Sequence, residues 1–280
     1  MAEISAKDVA ALRKATGAGM MDCKRALGET GGDMEEAKKW LREKGLAGAS
    51  KRSGREASDG AVEVLVQGNV GVIVEINCET DFVAKGDDFV GFVGDLAQVA
   101  LDQGVDDFGT KTHEAGSVDD AVKGLGAKVG ENVSLGRTVR IDATDGIVDG
   151  YKHIQNDRGV IGVLVELTGV DASDDKARQV AHDLALHIAS AAPRWLRRED
   201  VPEDVIAQER EILENLTRNE GKPEQAIAKI VEGRLEGFYK DNVLLEQGFV
   251  REPKRAISSL VDELGGASVR TFARVKVGEG

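Results

Sequence analysis

The chain is 280 residues long, 41% hydrophobic and 31% charged, with a formal net charge of −13. That length suffices for two or three modules with a sizeable core, and the negative balance argues against phosphate-backbone binding by the bulk of the molecule, which needs clustered Lys and Arg. No run approaches the roughly eighteen consecutive apolar residues of a membrane span, and the first residues lack a signal-peptide apolar segment, so a soluble cytoplasmic protein is expected.

Charge is unevenly spread. Residues 1–60 carry 12 Lys/Arg against 10 Asp/Glu, and the remainder 25 against 40, so a slightly basic head precedes an acidic body. In the head, Ser5 with Asp8 predicts a capping box ahead of Val9, Leu12 and Ala15 at helical spacing, and Thr16-Gly17-Ala18-Gly19 ends that helix. Met20, Met21, Cys23, Ala26 and Leu27 supply the apolar side of a second helix that stops at Gly31-Gly32. Asp33 with Glu36 opens a third, carrying Met34, Ala37, Trp40 and Leu41, with Gly45 in the residue position that follows a helix end. Three short helices in about 50 residues make a small bundle. Lys51 to Asp59 reads as a linker.

Beyond it the apolar period becomes two. Val62, Val64 and Val66 alternate, Gly68-Asn69 turns, and Val72, Val74 and Ile76 alternate again, which predicts a hairpin. The second strand runs into Cys78-Glu79-Thr80-Asp81-Phe82-Val83-Ala84-Lys85, and a helix is predicted from Asp87 to Gln103, with Phe89, Val90, Phe92 and Val93 near its start. A carboxylate beside a large ring on a connection admits two readings: Phe82 tucks under its own helix, or it is an outward anchor for a pocket on another protein. Residues 102–117 read as polar and irregular, Val118 to Val129 as a helix, and Val133 to Ile141 as a strand.

An internal echo follows. Gly71-Val72-Ile73-Val74-Glu75-Ile76-Asn77 recurs 91 positions later as Gly162-Val163-Leu164-Val165-Glu166-Leu167-Thr168, and Asp95-Leu96-Ala97-Gln98-Val99-Ala100 recurs as Asp183-Leu184-Ala185-Leu186-His187-Ile188-Ala189. Two collinear matches predict a duplicated strand-hairpin-plus-helix unit. The second copy has no Thr-Asp-Phe-Val after its strand, only the loop Gly169-Val170-Asp171-Ala172-Ser173. Between Arg198 and Phe238, two charged helices with narrow apolar seams, broken by Gly221-Lys222-Pro223, predict an antiparallel helical hairpin whose stripe is consumed between its own helices. A short helix, Ala256 to Leu264, and a strand through Val269, Phe272, Val275 and Val277 close the chain.

Catalytic signatures are absent: there is no GxxxxGK[ST] loop, no HExxH and no GxSxG. The glycine-dense Gly124 to Gly130 segment lies in a helical pattern and follows no strand, which speaks against dinucleotide binding. Cys23 and Cys78 carry no CxxC or His/Cys spacing and read as reduced, small apolar residues. His182 and His187, five apart on a helix, do not share a metal and read as solvated or half-buried. His153, in Tyr151-Lys152-His153, is either a packed edge residue or an interface tip. No cofactor and no metal site are expected.

Leu12 to Leu27, containing Thr16-Gly17-Ala18-Gly19-Met20-Met21-Asp22-Cys23-Lys24, and Asn77-Cys78-Glu79-Thr80-Asp81-Phe82-Val83-Ala84-Lys85 closely resemble the two signatures of the bacterial elongation factor Ts family. The likeness extends through Tyr151-Lys152-His153, Gly162 to Val165, Gly221-Lys222-Pro223, Val231-Glu232-Gly233-Arg234 and Val277-Gly278-Glu279-Gly280. The resemblance implies an α+β protein with a three-helix ubiquitin-associated-like head (1–52), a core N-subdomain (53–140), and a core C-subdomain (141–280) carrying an inserted antiparallel coiled-coil hairpin at about 199–240. It implies guanine-nucleotide exchange on elongation factor Tu, with no enzymatic residue. Thr80, Asp81, Phe82 and Val83 would form the wedge that dislodges the partner's Mg2+, with Asp81 and Phe82 entering between two helices of its G domain. Met20, Met21 and Lys24 would lie near that domain, and His153 would face the partner's other domains. Two rival readings are an RNA- or ribosome-associated module using the basic head and an enzyme with an unrecognised site. The acidic body and the lack of interleaved aromatic and basic residues count against the first.

Overall fold

The computed structural model describes residues 4–114 and 116–279. Its first helix, α1 (Ala6–Thr16), opens on the expected capping box: the Ser5 hydroxyl accepts from the Asp8 amide at 3.1 Å, and the Asp8 carboxylate accepts from the Ser5 amide at 3.4 Å. With α2 (Met20–Glu29) and α3 (Met34–Arg52) it closes over Val9, Leu12, Cys23, Ala26, Leu27 and Ala37. Asp33 caps α3 by accepting from the Glu35 and Glu36 amides, each at 2.9 Å.

Two expectations for the head need correction. Gly45 does not end the third helix, which runs on to Arg52 and leaves only 53–58 as a linker before the first strand. A Cβ on Gly45 would lie 2.9 Å from the Cβ of Ala127, so this glycine marks a close approach of α3 to another helix. Met20 and Met21 are not core residues: they are 58% and 69% exposed, because Cys23, Ala26 and Leu27 already fill the small interior.

β1 (Asp59–Gln67) and β2 (Val70–Cys78) pair in register across the two-residue turn Gly68-Asn69, and β5 (Ser134–Asp142) adds on the far side of β2. Between β2 and β5 the chain forms α4 (Asp81–Ala84), α5 (Asp87–Gln103), a 3-10 turn at Phe108–Thr110, the short strands β3 (Thr112–His113) and β4 (Gly116–Ser117), and α6 (Val118–Val129). The segment read as irregular therefore contributes to the core, with Phe108 buried. Along β2, Val72, Val74 and Ile76 pack with Phe89, Val93, Leu96, Ala97 and Ala100 of α5, while Ile73 faces the other way. A strand covered on both faces is apolar almost throughout.

The second sheet has the same connectivity. β6 (Ile147–Gln155) and β7 (Arg158–Thr168) form a hairpin, β10 (Ser268–Lys276) pairs with the far side of β7, and α7 (Asp175–Ala191) covers one face. The turn residues Asn156 and Asp157 both take positive φ, 51° and 62°, a conformation that Asn and Asp tolerate in tight hairpins. The remaining faces of the two sheets meet over Val62, Ile73, Ile141, Ala143, Val148, Leu164 and Val275.

Residues of the echoed heptads make that contact reciprocally. A Cβ on Gly71 would lie 2.7 Å from Leu164 Cδ2, and one on Gly162 would lie 2.9 Å from Ile73 Cγ2. The two glycines are therefore where each central strand lets the other approach. Glu75 and Glu166, also equivalent, are both buried; Arg137 of β5 pairs with the first and Arg270 of β10 with the second, each at 3.3 Å and each beside a bulge.

α8 (Glu203–Asn219) and α9 (Glu224–Asn242) run antiparallel, tied by Arg234 to Glu220 at 2.7 Å and by Arg210 to Glu232. Their seam buries Ile227, Val231 and Leu235, but Ile212 and Leu216 remain exposed, so the stripe is not consumed as expected: α8 carries more apolar residues than the facing edge of α9 covers. β8 (Gly248–Phe249), β9 (Glu252–Ala256) and α10 (Ile257–Asp262) return the chain to β10. His187 is fully buried, not solvated. The Val250 amide donates to its Nδ1 at 3.3 Å, which places the proton on Nε2, 2.8 Å from Gln247 Oε1.

Candidate functional site

The connection after β2 is built from both directions. Cys78 ends the strand wholly buried, its thiol donating to the Thr80 carbonyl at 3.3 Å; burial first, and the Glu131 carboxylate second, push its pKa up to about 12. Such a thiol is a packing residue, not a nucleophile. Thr80 caps α4 by accepting from the Val83 amide at 3.3 Å. A single helical turn then decides which side chains face out: Ala84 is buried, Val83 packs on the core, and Asp81 and Phe82 point to solvent. Phe82 is 76% exposed, so the reading in which it tucks under its own helix does not hold. Lys85 lies beside both, 3.5 Å from the Asp81 carboxylate and 5.8 Å from the centre of the Phe82 ring.

Three groups brace this turn from elsewhere in the chain. Glu131 accepts from the Glu79 and Thr80 amides and from the Thr80 hydroxyl. Arg55 pairs with Glu79 at 3.3 Å. Arg158, the first residue of β7, donates to the Asp81 carbonyl at 3.4 Å and to Asp59 at 2.9 Å. Its Nε has no partner among the described residues, a cost that a buried guanidinium bears only where its other donors are held. None of Glu131, Arg55 or Arg158 carries a signal in the periodicity of the sequence.

The other expected site residues lie on separate surfaces. Met20, Met21 and Lys24 line an open groove between α1 and α2 with Val9, Arg13 and Gly17. That head meets the core at α6: Gly17 abuts the Lys128 side chain, and Lys128 pairs at 2.6 Å with Asp88 in the first turn of α5. Asp88 is held below the usual carboxylate range by that hydrogen bond. His153 is exposed on β6, its Nδ1 3.0 Å from the Tyr151 hydroxyl, on the hairpin whose second strand begins at Arg158. Among the described residues no cluster of His, Cys, Asp or Glu could hold a metal ion, and no helix is long and apolar enough to cross a membrane. The arrangement presents an exposed ring and carboxylate on a braced turn, and exposed methionines beside a lysine.

The family profile described as Elongation factor TS matches residues 79–279, beginning within this same connection. The elongation factor Ts of Micrococcus luteus is 43% identical over 281 residues, covering 99% of this chain and all of the relative. The chain belongs to the elongation factor Ts family. The elongation factor Ts of Arthrobacter sp. strain FB24 is 44% identical with the same coverage, and that of Chlorobium phaeovibrioides is 42% identical over 293 residues, covering both chains in full. Membership gives the chain a role in translation elongation, and the mixed helix-and-sheet architecture accords with the family.

Proposed function

We propose that the chain is the guanine-nucleotide exchange factor for elongation factor Tu: it binds the GDP-bound form, displaces Mg2+ and promotes GDP release so that GTP can bind. The family membership supports this reading, and the observation that carries it is the exposed Phe82 ring beside Asp81 on a turn braced from three sides. Thr80, Asp81, Phe82 and Val83 act as the wedge, Met20, Met21 and Lys24 touch the partner's G domain, and His153 meets its other domains. In this reading residues 1–52 are the head, 53–140 the wedge-bearing core subdomain, and 141–280 the related second subdomain, with α8 and α9 as its coiled-coil insert. The factor works in the cytoplasm without contacting nucleic acid.

No nucleophile or general base is required. A protein that binds the nucleotide-free partner more tightly than the GDP-bound partner must weaken GDP by the same ratio. Mg2+ demands near-octahedral geometry at about 2.0 to 2.1 Å, so a ring forced between the helices that hold its ligands loosens it. Phosphate repulsion is then less screened, and GDP leaves faster.

Mixing the chain with elongation factor Tu carrying labelled GDP tests this. A one-to-one complex that excess GDP dissolves is expected, and Phe82→Ala should slow GDP release by roughly thirtyfold, on the order of 2 kcal/mol. Release at the unsubstituted rate would contradict the wedge. Asp81→Asn should shift the Mg2+ dependence of release; an unchanged dependence removes the electrostatic role assigned to Asp81.

A further inference from the structure

A four-residue helix does not hold itself in place. Forming one helical turn fixes several dihedrals for very few hydrogen bonds, and the backbone bonds around α4 are Ala84 N–H to Thr80 O at 3.2 Å, Lys85 N–H to Asp81 O at 3.1 Å and Gly86 N–H to Val83 O at 3.0 Å. The order comes from a residue 51 positions further on. Glu131 Oε2 accepts from the Glu79 and Thr80 amides, each at 3.1 Å, and Oε1 accepts from the Thr80 hydroxyl at 2.6 Å. The same hydroxyl oxygen accepts from Val83 N–H, so one carboxylate fixes the residue that caps the turn. Bonds to an ionised acceptor are about twice as strong as neutral ones.

The loop that carries Glu131 is held in turn by the end of α3 and the segment after it. Arg52 donates to the Gly126 carbonyl at 3.2 Å and the Glu131 carbonyl at 3.3 Å, capping the C-terminal end of α6. Asn132 donates its amide to the Glu79 carboxylate at 2.6 Å and its side-chain N–H to the Arg55 carbonyl at 2.7 Å, while Arg55 pairs with Glu79. Head, loop and wedge thus converge on residues 79–80.

We infer that Glu131 is a positioning residue for exchange: it orders Thr80–Val83 before the partner arrives, and Arg52 and Arg55 tie that order to the docking of the head. Rigidity set in advance removes an ordering cost that would otherwise fall on the insertion step. This inference rests on the exchange-factor reading above.

Steady-state GDP release from elongation factor Tu, read as maximal rate and KM separately, tests it. Glu131→Ala should lower the maximal rate roughly tenfold and move KM by less than about twofold. Glu131→Gln should recover most of the rate, since its carbonyl can face the two amides and its NH2 can donate to the Thr80 oxygen. Amide exchange at Ala84 and Lys85 should accelerate in Glu131→Ala while α5 and α6 keep their protection. In the Phe82→Ala background, Glu131→Ala should add no further loss, because the ring it positions is gone. Losses that multiply in the double variant, or Glu131→Ala at full rate while Phe82→Ala is slow, overturn the inference. Phe82→Ala at full rate overturns the wedge reading instead, and is seen without touching Glu131. If Glu131→Ala fails to fold, Thr80→Val deletes the 2.6 Å bond from the other side, and full maximal rate there is equally fatal.

Discussion

The two strand-to-helix connections, 79–86 after β2 and 169–174 after β7, leave equivalent central strands and enter equivalent helices, yet treat their apolar residues in opposite ways. In the second, Val170 and Ala172 pack against the core, Asp171 folds back to accept from Ser173, and Asp174 caps α7. In the first, an extra helical turn keeps Val83 and Ala84 inward and projects Asp81 and Phe82. The fold is satisfied by the plain loop, so the projecting ring is not a requirement of the fold; in the wedge reading proposed above, the bonds around Thr80 keep it outward.

The largest expected effect concerns the frame that the connections share. Gly71→Val and Gly162→Val each force side-chain atoms into the opposing central strand and should each cost about 3 kcal/mol or more in urea unfolding. Costs that differ severalfold would break the equivalence of the two halves. Next come the connections themselves. Phe82→Ala should leave unfolding within about 0.5 kcal/mol of the original while slowing GDP release; Val170→Ala should cost about 1 kcal/mol and leave release alone. A Phe82→Ala chain that loses stability would mean that the ring serves the fold after all.

The smallest effect separates the two helices. Burial lowers the pKa of His187 below its ordinary value, the Gln247 hydrogen bond opposing, whereas its counterpart on α5 is Val99. Because the folded state holds fewer protons on His187 than the unfolded state, the associated stability is present above about pH 6.5 and is lost as pH falls through the folded pKa. His187→Phe should flatten the acid limb of the unfolding profile below about pH 6.5. An unchanged slope would assign the acid sensitivity to other groups.

Much of this was legible because local physics is periodic. Alternation through Val62–Val66 and Val72–Ile76 with Gly68-Asn69 between them determined the first hairpin; Asp87 to Gln103 and Val118 to Val129 are the helices that their spacing predicts; the echo at 91 residues located both central strands. Periodicity reports that a side chain seeks an interior, not which interior or whether room remains in it. It therefore put Met20 and Met21 on the inward side of α2, closed the seam over Ile212 and Leu216, and took Gly45 for a helix end. Only the tertiary structure decided that Gly71 and Gly162 admit each other's strands, that Phe82 faces solvent, and that Glu131 holds the cap of a helix 51 residues before it. Those are contacts between distant parts of the chain, fixed by how two sheets and a head pack together, and no local spacing encodes them.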